Sequence, residues 1–243
     1  MIQGKRWGTG DFEQVEIAFL LVLFALGLAF FVWNAHLELA LDDLGWLKGE
    51  APTVFDRYRH IPRFFFTSLH TLFGPNAVAA LTMIFTFHAI NALLVYGLCR
   101  VVLGSLVAAR AAAFAFIVNP ITLATLTWIS CFSYVLGTTL ALVSLLAFWR
   151  SNIEINGRSW LWWSIALACY VAALFCSHEV FFLPLLFLLL CWLRGSGQWR
   201  QGVALFTVSM GLALLVQRLV YNFEQYGVET IGLFSTGFVS ALV

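Results

Sequence analysis

The sequence predicts an all-α protein: a polytopic bundle of transmembrane helices with short amphipathic helices in its first external loop. Three observations predict it. Of 243 residues, 62% are hydrophobic and only 10% charged, where a soluble domain carries roughly 25% charged residues. The apolar residues fall in runs that approach the ~20 residues a helix needs to cross a bilayer. The breaks between those runs are short and polar, with one long exception at residues 37–76. Thirteen basic residues and a net charge of +1 exclude a basic surface for nucleic acid.

Residues 1–16 are polar and mixed in charge, and read as a cytoplasmic N-terminal segment ahead of a membrane domain at 17–243. The run Ile17–Trp33 follows directly on Asp11, Glu13 and Glu16. A cleaved signal peptide has a basic start and a small-residue cleavage site, so this run is expected to be a retained first span.

The external loop 37–76 comes next, with Asp42, Asp43, Asp56, Arg57, Arg59, His60, Arg63 and His70. Within it Phe55, Tyr58, Ile61, Phe65, Leu69 and Leu72 recur at spacings of three and four, one apolar face of a helix. Pro62 lacks an N–H and should break or restart that helix. One or two interfacial helices are predicted there.

Further apolar runs follow at Ala77–Cys99, Val101–Val118, Trp128–Trp149, Trp160–Cys176, Val180–Leu193 and Val203–Val216, and a last run begins at Ile231. The total is about eight spans, with Ser177-His178-Glu179 a turn, kink or re-entrant point. The tail GLFSTGFVSALV ends inside an apolar run, which predicts that the chain continues beyond Val243. The five cysteines, Cys99, Cys131, Cys169, Cys176 and Cys191, are odd in number and form no CxxC pair. They read as small buried hydrophobes.

Lysine and arginine in short loops set orientation. With the N-terminus cytoplasmic, Lys5, Arg6, Arg100, Arg150, Arg158, Arg194 and Arg200 face the cytoplasm, and Lys48, Arg57, Arg59, Arg63 and Arg218 face outward. The loop 37–76 then lies on the periplasmic or luminal side of a bacterial inner membrane or an endoplasmic-reticulum-type membrane.

Several residues in this frame can carry chemistry. Asp42 and Asp43 are adjacent carboxylates at a low-dielectric boundary, where repulsion raises the pKa of one. They suit a general base or a divalent cation, and equally an ordinary polar span end. Arg57, Arg59 and Arg63 present guanidinium forks suited to phosphate oxygens, or to plain headgroup anchoring; Arg218 is a further cation on that side. His88 and Asn91 lie inside a span and need partners, which a helix–helix hydrogen bond would supply. Arg110 should snorkel to the cytoplasmic end or pair. His178 and Glu179 fall on the same side as the acidic pair. No Gly-rich phosphate loop, HExxH or Ser-centred elbow occurs, so ATP use and metalloprotease chemistry are not indicated.

The order of these features resembles the GT-C membrane glycosyltransferases, and most nearly the TMTC-type and protein O-mannosyltransferase-like branch. The likeness covers about residues 15–220. It rests on Asp42-Asp43 after the first span, Tyr58-Arg59, then Leu72-Phe73-Gly74 with Asn76, His88 with Asn91-Ala92, Pro120 with Trp128-Ile129-Ser130, and His178-Glu179 with Pro184. Five positions depart from the family pattern: His60 replaces the usual proline, Ala124 a glutamate, Phe132 an arginine, Tyr134 an acid and His178 a lysine. The resemblance implies transfer of a sugar from a polyprenyl-phosphate carrier to an acceptor outside the cytosol. Asp42 or Asp43 would be base or metal ligand. Arg59, Arg63, His60 and Arg218 would bind the carrier phosphate, while His88, His178 and Glu179 shape the cavity. The departures leave open a non-catalytic membrane subunit, packed against lipids or partner membrane proteins in a larger complex.

Overall fold

A computed structural model describes residues 14–34, 47, 59–119, 125–126, 128–151, 159–194 and 199–220. The regular elements are α1 (Gln14–Asn34), α2 (His60–Phe73), α3 (Ala77–Leu103), α4 (Leu106–Val118), α5 (Phe132–Ser151), α6 (Ser159–Leu174), α7 (Leu183–Arg194) and α8 (Trp199–Val220), with 3-10 turns at Ile129–Cys131 and His178–Phe182. Among the described residues there is no strand. The expectations placed on Asp42, Asp43, Ala124 and the run from Ile231 lie outside the described residues.

Two helical stretches are long and apolar enough to cross a membrane, Ala77–Leu103 and Ile129–Ser151. The apolar helices Leu106–Val118 and Ser159–Leu174 are shorter. At ~1.5 Å per residue, 13 residues rise roughly 20 Å, against ~30 Å of hydrocarbon.

The helix ends follow from local chemistry. Asn76 Oδ1 accepts from Ala79 N at 3.1 Å and opens α3, satisfying one of the donors that a helix start leaves unpaired. The break expected after Arg100 comes instead at Gly104-Ser105. Gly104 takes φ 64° and donates its N–H to Arg100 O, a left-handed stop that glycine adopts without strain. Ser105 Oγ then accepts from Ala108 N at 3.3 Å and starts α4. Pro62 does not break α2; it sits in the first turn, where its missing N–H costs no intrahelical bond. Of the apolar face expected for α2, Ile61, Phe65 and Leu69 do pack on the bundle, but Leu72 is 73% exposed.

Side-chain contacts fix the helix directions. Phe19 meets Tyr96 and Phe24 meets Phe85, so α1 runs antiparallel to α3. Phe87 meets Phe132 and Asn91 meets Val135, so α3 and α5 run parallel. Ser144 Oγ donates to Ala166 O at 2.6 Å and Arg150 stacks over Trp162 at 4.8 Å, which makes α5 and α6 antiparallel. One end of the bundle therefore gathers α2, the start of α5 and the His178–Phe182 turn. The other end gathers Arg100, Arg150 and Arg194, each over an aromatic ring: Tyr96, Trp162 and Trp149.

His88 and Asn91 inside α3 are buried. Asn91 Nδ2 donates to Val135 O at 2.9 Å, the helix–helix bond expected of it, and Thr139 Oγ1 donates to the same carbonyl at 3.0 Å. Asn91 Oδ1 has no partner. Replacing Asn91 by alanine thus removes one bond to a carbonyl that keeps another donor, and also removes an unsatisfied acceptor. The expected loss is small, at the low end of the ~0.5–1.5 kcal/mol net value of an intramolecular hydrogen bond. Denaturation by SDS titration would check it; a loss of several kcal/mol would contradict this account. Arg110 lies over the Phe19 ring at 5.6 Å. All five cysteines are free, with Cys176 and Cys191 buried.

Candidate functional site

The bundle end that carries α2 brings together several residues separated by long stretches of sequence. Arg59 is the N-cap residue of α2, and its guanidinium carbon stands 5.5 Å from the centroid of Tyr134, in the first turn of α5. Such a cation–π contact holds an arginine through its flat face and leaves the edge donors pointing outward. Phe65 and Phe66 of α2 seat the helix on Phe132, so Arg59 is placed by packing. His70 Nδ1 donates to Leu47 O at 2.8 Å, which ties the far half of α2 to the buried Leu47.

The turn at His178–Phe182 is held against the same end. Ser177 Oγ accepts from Glu179 N at 3.3 Å and caps it. Tyr170 Oη donates to Phe181 O at 3.4 Å. Gly137, one turn beyond Tyr134, lets this segment approach: a Cβ there would stand 3.2 Å from Ser177 Cβ. Arg63 and Glu179 are exposed. His60 opens α2, His178 opens the turn and Arg218 lies near the end of α8, all at this end of their elements. The side chains of these three lie outside the described residues.

His88 belongs to a different seam. It is 2% exposed and stacks on Phe116 of α4 at 5.0 Å, with Nε2 unpartnered. It packs between α3 and α4, whereas Arg59 and Tyr134 meet between α2 and α5. Among the described residues no three His, Cys, Asp or Glu side chains gather. Asp42 and Asp43, the pair read as suited to a divalent cation, lie outside those residues.

Sequence reasoning counted Tyr134 and Phe132 only as departures from a family pattern, and missed what they do. Tyr134 supplies the surface on which Arg59 rests. Phe132 fills the space beneath α2, against Phe65 and Phe66. An aromatic residue in the first turn of a span is the signal that could have marked Tyr134 as an interfacial anchor.

The site is thus one end of an all-helical bundle, two of whose helical stretches are able to cross a membrane. It offers arginine donors, an exposed carboxylate and aromatic surfaces. No protein-family model, curated protein or solved structure matches the chain.

Proposed function

We propose that this chain is an integral membrane protein that binds the phosphate of a polyprenyl-linked sugar at the α2 end of the bundle. From there it transfers the sugar to an acceptor on the periplasmic or luminal side. The observation that supports this most is Arg59 held over Tyr134, at the end shared by α2 and the His178–Phe182 turn. Arg63, Arg218 and His60 are the further groups assigned to the carrier phosphate in this reading. The transferase chemistry itself rests on the resemblance to GT-C enzymes.

In this reading one carboxylate of Asp42 or Asp43 takes the proton of the acceptor hydroxyl. The freed oxygen attacks the anomeric carbon from the face opposite the phosphate. The bond between that carbon and the phosphate oxygen breaks, its electron pair stays on the phosphate, and the configuration inverts. Arginine donors aimed at the departing phosphate stabilise the charge that develops there. In the alternative the carboxylates would instead hold a divalent ion that orients the two substrates.

The test uses the full chain in proteoliposomes with a polyprenyl-phosphate-linked hexose and a hydroxyl-bearing acceptor. Asp42→Asn or Asp43→Asn is expected to lower transfer by ~10²–10⁴, the usual contribution of a general base, with membrane insertion unchanged. Full activity in both single variants and in the double variant would overturn the reading. Retention in the membrane after an alkaline carbonate wash checks the membrane assignment separately.

A second reading, a non-catalytic subunit of a membrane complex, draws on the broad apolar faces left uncovered. Leu21, Val22 and Val32 of α1 are exposed, and Trp192 of α7 is 69% exposed. These faces suit lipid or the spans of a partner protein. Native mass spectrometry of the protein in mild detergent separates the two readings. A carrier lipid lost on Arg59→Ala supports the transferase, and a stoichiometric partner chain without carrier supports the subunit.

A further inference from the structure

The end of the bundle away from α2 carries an unbalanced positive charge. Arg100, Arg150 and Arg194 stand in the last turns of α3, α5 and α7. A cation there offsets the negative end of a helix dipole, worth about half a charge. That does not account for three arginines, because α4, α6 and α8 begin at the same end. Their positive ends offset the negative ends of α3, α5 and α7, and the charge of the arginines is left over. Glu179 is the one acid among the described side chains, and it lies at the opposite end. The segments 1–16, 152–158 and 195–200, next to this end in sequence, add Lys5, Arg6, Arg158 and Arg200 against Asp11, Glu13, Glu16 and Glu154, which leaves the excess unchanged.

Two of the three arginines are drawn to one helix end. Arg194 donates Nη1 to the carbonyl of Trp149, the residue before Arg150, at 3.3 Å and lies over the Trp149 ring. Arg150 is exposed, and its guanidinium carbon stands 4.8 Å from the centroid of Trp162. The ring holds the flat face, and the edge donors remain for an acceptor. Trp160, in the first turn of α6, and Trp192, in the last turn of α7, are exposed at the same end. Exposed indoles and arginines at one level are what a helix bundle presents to a headgroup layer.

We propose that this end binds the phosphate of an anionic phospholipid, with Arg150 as the direct contact. The inference rests on the membrane assignment and is independent of sugar transfer and of the α2 end. In the orientation read from the loops this end meets the cytoplasmic leaflet, whose anionic lipids attract each arginine near the surface. A free anion would need only the cations, whereas a lipid phosphate also accounts for the exposed Trp160 and Trp192, which sit where headgroups meet acyl chains.

The test reconstitutes the full chain in vesicles of equal parts phosphatidylcholine and phosphatidylglycerol and recovers it by flotation. It then extracts the protein in mild detergent and counts retained lipids by native mass spectrometry. Wild type is expected to retain phosphatidylglycerol in excess of phosphatidylcholine. Arg150→Gln should lower the ratio of the two roughly fivefold, the attraction of one arginine near a charged surface. Arg150→Lys keeps the charge and should retain most of the excess. Val107→Gln, at an exposed site in the first turn of α4, changes no charge at this end and should leave the ratio intact. Inorganic phosphate in excess, at constant ionic strength, should not displace the lipid. Equal retention of the two lipids by wild type would overturn the proposal, as would an Arg150→Gln ratio equal to that of wild type or a loss as large in Val107→Gln. Displacement by inorganic phosphate would make this a free-anion site and overturn it too. A chain that fails to float with the vesicles would overturn the membrane assignment and the proposal with it.

Discussion

Phe132→Ala is expected to destabilise the protein by about 3 kcal/mol and to release α2 from the bundle. Phe132 is 0% exposed and is the hub on which three rings converge edge-on: Phe65 at 5.7 Å, Phe66 at 5.4 Å and Phe87 at 5.4 Å. Truncating a buried phenylalanine costs ~3–5 kcal/mol in soluble cores. Part of that cost is transfer from water, which is weaker where lipid is the alternative environment; on the membrane reading proposed above the low end of the range is expected. What remains is dispersion and ring–ring geometry, at ~0.5–1.5 kcal/mol per aromatic pair. SDS titration followed by circular dichroism gives the stability, and hydrogen exchange of the α2 amides gives its release. Phe64→Ala is the comparison: Phe64 is a neighbour on α2 but 68% exposed, and its loss should cost little. Equal effects of the two substitutions would show that α2 is not held by Phe132. Because Arg59 and Tyr134 meet across this same joint, the Phe132 variant should also lose any ligand that depends on Arg59.

The extent to which the chain announced this arrangement differs from element to element. The apolar runs were legible because a helix that packs in or faces an apolar medium must be apolar along most of its length, and each break needs polar or glycine punctuation. Ala77 and Val118 were placed at the observed ends of α3 and α4, and the interruption at Ser177-His178-Glu179 falls where the short turn begins. The division between α3 and α4 was misplaced at Arg100, because a charged residue draws attention while the actual stop, Gly104 at φ 64°, carries no charge. Long-range pairs were not legible at all. Nothing local to Arg59 indicates that its ring partner is Tyr134, and nothing local to Asn91 indicates Val135. Helical period shows which face a side chain occupies, but which helix covers that face is settled only by the packing of the whole bundle. For the same reason Leu72, in register with Ile61, Phe65 and Leu69, remains exposed: α2 extends beyond the helices that cover its first turns.

The same substitution at two glycines of α8 is expected to have opposite signs. At Gly202 an added Cβ would overlap Cys191 Sγ and stand 2.9 Å from Cys191 Cβ. Close approach of two backbones at a small residue is how helices associate where lipid removes the hydrophobic drive. The crowded thiol has little room to turn aside. Cys191 is buried, and three residues on, Arg194 donates Nη1 to Trp149 O at 3.3 Å and lies over the Trp149 ring at 5.2 Å. Overpacking costs ~1–3 kcal/mol, while glycine to alanine within a helix returns ~0.8–1 kcal/mol. Gly202→Ala should therefore destabilise by up to about 2 kcal/mol. A Cβ at Gly211 meets nothing within 4 Å, so Gly211→Ala keeps only the favourable term and should stabilise by up to ~1 kcal/mol. Cys191→Ala in the Gly202→Ala background removes the sulfur but leaves the Cβ contact, so it should restore part of the loss and show a coupling of ~0.5–3 kcal/mol in a double-mutant cycle. SDS titration of wild type, Gly202→Ala, Gly211→Ala, Cys191→Ala and the Gly202→Ala/Cys191→Ala double variant reads all of these. A Gly202→Ala protein as stable as Gly211→Ala would mean that α7 and α8 can separate without cost, and that their hairpin is held by contacts other than this one.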